Sequence, residues 1–182
     1  MNTKVFLDIK MIQAELEFRK AEAADSEAIW AIIQQAIRRR GEDGSIQWQD
    51  GYPNPEVIAL DIQKGAGNVA LEEGKIVAYG VILVNDEPEY ERLHGKWLRT
   101  GDYVAVHRIA VADSHLGRGL ATAMMRYAEA KAHEWGIESV RVDTNYDNYA
   151  MLHIFDKLGF TYCGEVYFRG SPRRAYEKVL VP

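Results

Sequence analysis

The feature that most constrains this chain is the stretch HRIAVADSHLGRGLATAMM, residues 107–125. A β-rich run from Tyr103 ends at Val111. A short turn follows, and Gly117-Arg118-Gly119 leads directly into a long amphipathic segment that Gly136 closes. Glycines there let the backbone come close to a ligand, and the first turn of a helix leaves N–H groups without intrahelical acceptors. Strand, glycine turn and helix start in that order suit a phosphate or pyrophosphate. The same spacing also fits plain turn chemistry. It is not a P-loop, because no Gly-Lys-Ser/Thr follows. Thr122 stands where a dinucleotide fingerprint needs its third glycine.

Periodicity predicts the other elements. A short strand is expected at Leu16 to Arg19. A helix is expected from Ser26 to Arg40, with Ile29, Ile32, Ile33, Ala36 and Ile37 on its buried stripe, Asp25 or Ser26 capping its start and Gly41 just beyond its end. The run Arg38-Arg39-Arg40 reads either as a phosphate site or as cations placed at a helix C-terminus. Asn54 and Pro55 open a second helix that buries Val57, Ile58 and Ile62 and ends at Gly65. Asn68 to Glu72 and Lys75 to Asn85 read as a hairpin about Glu73-Gly74, and the polar stretch Asp86 to Thr100 as a connection. The helix from Gly119 to Trp135 turns Leu120, Met124, Tyr127, Ala128 and Trp135 to one side. Ser139 to Asp143 is a short strand, and residues 148–158 form a helix that Gly159-Phe160 ends with a left-handed cap. Strands at Thr161 to Phe168 and Ala175 to Val181 complete the order β-α-α-β-β-β-α-β-α-β-β, a mixed α/β sheet covered by helices.

Composition narrows the function classes. A chain of 182 residues suits one domain, here residues 15–182 after an N-terminal extension at 1–14. With 22 Lys+Arg against 27 Asp+Glu the net charge is -5, which argues against nucleic acid and against an anionic membrane surface. The lone Cys163 excludes an internal disulfide, and the five histidines lack ligand spacing, so no metal is expected. Apolar runs such as Ile76 to Val84 fall far below the ~20 residues of a spanning helix. The N-terminal MNTKVFLDIKM lacks a signal peptide's apolar core. The chain is expected to be soluble and cytoplasmic.

Two segments together resemble the GNAT superfamily of N-acetyltransferases, in particular its small bacterial members. The first is the family's motif A, Gln/Arg-x-x-Gly-x-Gly/Ala at the start of the helix after the fourth core strand. It aligns with Leu116-Gly117-Arg118-Gly119-Leu120-Ala121, where Gly119 and Ala121 match and Leu116 departs from the Gln/Arg position. The second is motif B, an Asn opening a hydrophobic helix that ends in Leu-Gly-Phe. It aligns with Asn148 and Leu158-Gly159-Phe160. The run His107 to Val111 also resembles the family's fourth strand.

The resemblance implies a mixed central sheet of about six or seven strands flanked by about four helices, with the fourth and fifth strands splayed. It implies acetyl-CoA as co-substrate and a primary amine of a small molecule or peptide as acceptor. A homodimer is an open option for assembly. The backbone of Ile109, Ala110 and Val111 would bond the pantetheine arm as another strand would. Backbone N–H groups of Gly117, Arg118, Gly119, Leu120, Ala121 and Thr122 would hold the pyrophosphate, and Arg118 either adds charge there or is a solvated surface residue. Asn148 and Phe155 would contact the arm of the cofactor.

Acetylating an amine needs a base to free the lone pair. His107, on the fourth strand, is the first candidate and Asp143 the second; each has a structural reading as well. Many family members place a Tyr acid seven residues after the Asn, but here that position is Phe155. Tyr149, Tyr146 and Tyr167 are the candidate replacements. Gln47, Trp48 and Tyr52, in the loop between the first two helices, are expected to wall the acceptor site. Two other functions compete with acetyl transfer. One is a non-catalytic acyl-CoA sensor, which Phe155 favours. The other is a nucleotide-binding module built on Gly117-Arg118-Gly119.

Overall fold

In the hairpin at Glu73-Gly74 both central residues take positive φ, 49° and 75°. That is the two-residue turn whose twist matches the strands it joins. It connects β2 (Gly67–Glu72) to β3 (Lys75–Val84). The computed structural model describes residues 16–181, so the expected extension at 1–14 lies outside the described residues. The remaining elements are β1 (Leu16–Lys20), α1 (Ser26–Glu42), α2 (Pro55–Gln63), β4 (His94–Gly95), β5 (Val104–Val111), α3 (Leu120–Glu134), β6 (Ser139–Thr144), α4 (Tyr149–Leu158), β7 (Thr161–Phe168) and β8 (Ser171–Val179).

The strands form one sheet of eight in the order β1-β2-β3-β5-β6-β8-β7-β4. The extra strand is β4. It falls in the stretch 86–100, which reads as a polar connection, and it pairs His94 and Gly95 with Glu165 and Gly164. Its cause is a close approach of backbones: a Cβ on Gly95 would collide with the Cys163 carbonyl, and one on Gly164 with that of His94. A hydrophobic pattern does not register such a pair.

Helices cover both faces of the sheet. Ile29, Ile32 and Ile33 of α1 and Ile58 of α2 pack on Val69, Leu71, Tyr79 and Val81. On the opposite face, Met125, Ala128 and Ala132 of α3 and Phe155 and Leu158 of α4 pack on Val104, Val106, Val140 and Val142. Burial on both faces is why β3 and β5 read as near-continuous apolar runs. Three local details differ from the periodicity. Helix α1 runs through Gly41 to Glu42, since Gln49 Oε1 sits 2.8 Å from where a Cβ of Gly41 would stand. The Asp25 carboxylate accepts from Arg19 and from the Glu22 N–H rather than capping α1. Trp135 is the C-cap residue of α3 and is exposed rather than packed with Leu120 and Met124.

Candidate active site

All strand pairs are antiparallel except β5–β6. That parallel pair holds only over Val104–Val106 against Val140–Val142. Beyond Val106 the two strands part, as the splay implied by the resemblance requires. On its other side β5 carries a bulge. Tyr79 faces Ala110 and Val81 faces His107, so Gly80 alone opposes Arg108 and Ile109. Arg108 takes φ 52° there. Strict alternation from Val104 and Val106 would aim Arg108 at α3. The bulge turns it instead to α2, where its Nε donates to Asp61 Oδ2 at 2.9 Å and its Nη2 to Oδ1 at 2.5 Å. The Tyr79 hydroxyl donates to the same carboxylate at 2.9 Å. Burial and that carboxylate hold the hydroxyl well above its usual pKa, so it remains a donor.

The parting of β5 and β6 opens a cavity of about 290 Å³. Its wall includes Ile109, Ala110, Val111, Ala121, Asn148 and Phe155 of the expected cofactor set. Gly117, Arg118, Gly119, Leu120 and Thr122 do not line it; they form the turn and helix start beside it. Gly117 and Gly119 take φ 73° and 81°, with open space where side chains would stand. Helix α3 begins at Leu120, so its first N–H groups have no intrahelical acceptor. Arg118 does not stand as a solvated surface arginine: its guanidinium grips Glu72 at 2.6 and 3.1 Å, and His115 joins the same carboxylate at 2.7 Å. These partners hold the Glu72 carboxyl below its usual pKa, Arg118 first. Of the arginine run, Arg38 and Arg39 bond Asp113, and Arg40 bonds Ser45 and Asp147. The run therefore ties the end of α1 to the loops that carry Ser45, Asp113 and Asp147.

His107 and Asp143 come together at the inner end of the cavity. The imidazole side chain is 10% exposed; Nδ1 lies 3.5 Å from Asp143 Oδ1 and Nε2 lies 3.0 Å from Glu87 Oε2. The Glu87 contact is off the ring's bonding direction, which leaves Nε2 buried without an aligned partner. Asp143 also accepts from the Tyr90 hydroxyl at 2.8 Å and from Arg173 at 3.4 Å. The three candidate tyrosine acids are not on the wall. Tyr149 is 76% exposed. Tyr146 and Tyr167 both bond Glu165, which keeps their hydroxyls above the usual pKa. Phe155 is fully buried against Phe160 and Tyr176. Among the described residues Tyr52 is the only tyrosine on the wall.

The loop residues Gln47, Trp48 and Tyr52 all line the cavity. Gln47 Oε1 accepts from Asn148 Nδ2 at 3.1 Å, while Asn148 Oδ1 accepts from the Met151 N–H and so caps α4. The Tyr52 hydroxyl meets Arg108. Sequence reasoning missed Glu87, Arg108, Phe168, Arg169 and Arg173, all on the same wall. The arginine cluster in FRGSPRR, at a turn between two strands, is the one signal that pointed to part of this set.

The sequence model of the acetyltransferase (GNAT) family matches residues 34–160. The chain belongs to the GNAT family. A GNAT-family acetyltransferase of Streptococcus agalactiae superposes with TM-score 0.83 at 34% identity, over 92% of this chain and 96% of that one. The N-acetyltransferase YesJ of Bacillus subtilis is 24% identical over 144 residues, 77% of this chain and 78% of its own. YncA of Salmonella typhimurium, solved with its cofactor acetyl-CoA, shares the fold with TM-score 0.66 at 17% identity, over 92% and 95% of the two chains. This GNAT protein is an acetyl-CoA-dependent acyltransferase. Among its described residues no helix is long and apolar enough to cross a membrane.

Proposed function

We propose that this GNAT enzyme transfers acetyl from acetyl-CoA to the primary amine of a small molecule or peptide, by direct attack in a ternary complex. The observation that carries the reading is that one cavity joins the unpaired edge of β5 to His107 and to the Trp48–Tyr52 wall. The residues present fit coenzyme A. The edge of β5 at Ile109 to Val111 has no strand partner on the β6 side, although the Val111 carbonyl accepts from Arg39 Nη2 at 3.0 Å, and the side-chain-free turn at Gly117 and Gly119 leads to unsatisfied N–H groups at the start of α3.

Acetyl-CoA supplies the activated acyl group. His107 takes a proton from the incoming ammonium at its buried ring nitrogen. Asp143, itself held by Tyr90 and Arg173, orients the imidazole. The backbone N–H of Ile109, the residue just after the bulge, is the donor assigned to negative charge on the acetyl oxygen. Phe155 cannot protonate the leaving thiolate. Coenzyme A thiolate is a tolerable leaving group, so positioning and oxyanion stabilisation carry the reaction.

The test is the pH profile of kcat/KM with two amines of different pKa. With His107 as base, the inflection of the wild-type profile stays in place whichever amine is used, and His107→Ala removes it and lowers the rate. A profile that tracks the amine and survives the substitution overturns the assignment. The sensor reading predicts acetyl-CoA binding without thiol release, so a thiol-release assay decides between them.

A further inference from the structure

We infer that the acceptor is amino-acid-like: it carries a carboxylate as well as its primary amine, and Arg169 and Arg173 bind the carboxylate. The inference rests on the acceptor side of the cavity assigned above. It comes from the tip of the β7–β8 hairpin. Arg169 and Gly170 take φ 48° and 76°, a two-residue turn that places Phe168, Arg169 and Arg173 on the cavity wall. Both guanidinium groups sit over aromatic rings. Arg169 Cζ lies 4.1 Å over the Tyr52 ring, and Arg173 Cζ lies 4.9 Å over that of Phe168. A planar fork fixed this way loses little freedom when it takes a carboxylate.

Each guanidinium has five N–H donors, and of the five arginines on this wall Arg39 and Arg40 are bonded to Asp113 and Asp147, while the other three differ in how they use theirs. Arg108 is committed to Asp61 and Tyr52. Arg169 donates from Nε to Asp50 Oδ2 at 2.7 Å, and its two terminal nitrogens have no acceptor among the described residues. Arg173 makes one long hydrogen bond, Nη1 to Asp143 at 3.4 Å, and its buried Nε has no acceptor among the described residues. A buried N–H left unpaired is costly, and carboxylate oxygens would satisfy it. The acidic groups nearby do not offer a matching site for a second cation. Of the three acids on the wall, Asp43 pairs with Arg40 and Asp143 accepts from Tyr90 and Arg173, which leaves Glu87, beside His107, to receive one ammonium. A diamine would set its far ammonium against two guanidinium groups. The net change is ammonium plus thioester to amide, free thiol and one proton. The N–C bond forms as the C–S bond breaks.

The test uses thiol release from acetyl-CoA with the common L-amino acids, their carboxamides and their decarboxylated amines as acceptors. At least one amino acid is expected to exceed its own carboxamide and decarboxylated amine by about tenfold or more in kcat/KM. Arg173→Gln and Arg169→Gln are each expected to shrink that ratio by raising KM for the amino acid, and Arg173→Lys to restore part of it. Arg169 is exposed at the hairpin tip, so its variant stays informative if Arg173→Gln does not fold. Equal or better turnover of the uncharged or decarboxylated amines, or a preference that survives both Gln variants, overturns the inference and leaves the acetyltransferase reading standing. Bound acetyl-CoA with no thiol released by any acceptor overturns both.

Discussion

Arg108 shows how one residue joins fold to site. Its place in an apolar run gave no sign of its partner. The bulge in β5 swings the guanidinium onto Asp61, 47 positions earlier in the chain. The pair is buried, so removing one member leaves an uncompensated charge. Asp61→Ala is expected to destabilise the fold by about 3–5 kcal/mol in urea unfolding, and pairing it with Arg108→Met to recover much of that loss. A single-variant cost no larger than a surface change would refute the pin. Asp25 makes a second prediction, in pH. The Arg19 hydrogen bond, ahead of the opposing effect of burial, lowers its pKa in the folded state. A depressed carboxylate stabilises above its unfolded pKa of about 3.9, and the gain is lost as pH falls through the folded value. Asp25→Asn should therefore be less stable than wild type at neutral pH, and the gap should close as the solution is acidified. A gap that widens in acid refutes it.

At the scale of elements, the caps and turns of the later helices were legible because they are local, whereas the expected Asp25 cap and Gly41 stop of α1 gave way to contacts from Arg19 and Gln49. Asn54 caps α2 through the Val57 N–H, Gly159 takes φ 80° after α4, and the Phe160 N–H returns to Phe155 as the left-handed cap requires. The cavity wall was only partly legible. His107, Glu87, Asp143 and Arg173 belong to three strands and a loop, and only the sheet register brings them together. The strand β4 was hidden for the same reason, since two glycines meeting backbone to backbone leave no pattern in either segment. Asn148 carries two roles at once, cap of α4 and donor to Gln47 on the cavity wall. The two can be separated. Asn148→Ala should lower stability by about 1 kcal/mol, while Asn148→Ser keeps a capping oxygen and most of that stability. Both should weaken acetyl-CoA binding in calorimetry, because both remove the amide donor. Unchanged affinity in the Ser variant would reduce Asn148 to a cap.

At the scale of the molecule, the two halves of the sheet are joined by a short seam. Strands β1, β2, β3 and β5 stand on one side and β6, β8, β7 and β4 on the other, linked by three parallel residue pairs. Below the seam the cavity separates them, with α3 and α4 packed on one face. In the proposed mode, coenzyme A lies in that gap and bonds β5 at its unpaired edge, so it completes the sheet as well as binding to it. A ligand that binds only the folded state stabilises by mass action, and its contacts slow exchange of the amides it covers. Adding acetyl-CoA should therefore raise the Tm progressively with concentration. In hydrogen exchange, protection should concentrate at Ile109 to Val111 and at the start of α3, with little change at β1 or at the β4 edge. The N–H groups at Gly117 to Thr122 are the ones to watch, because the structure leaves the α3 start among them without intrahelical acceptors. Protection confined to one half of the sheet, away from the gap, would mean that the cofactor does not bridge it, and that the splay serves some other purpose than to receive it.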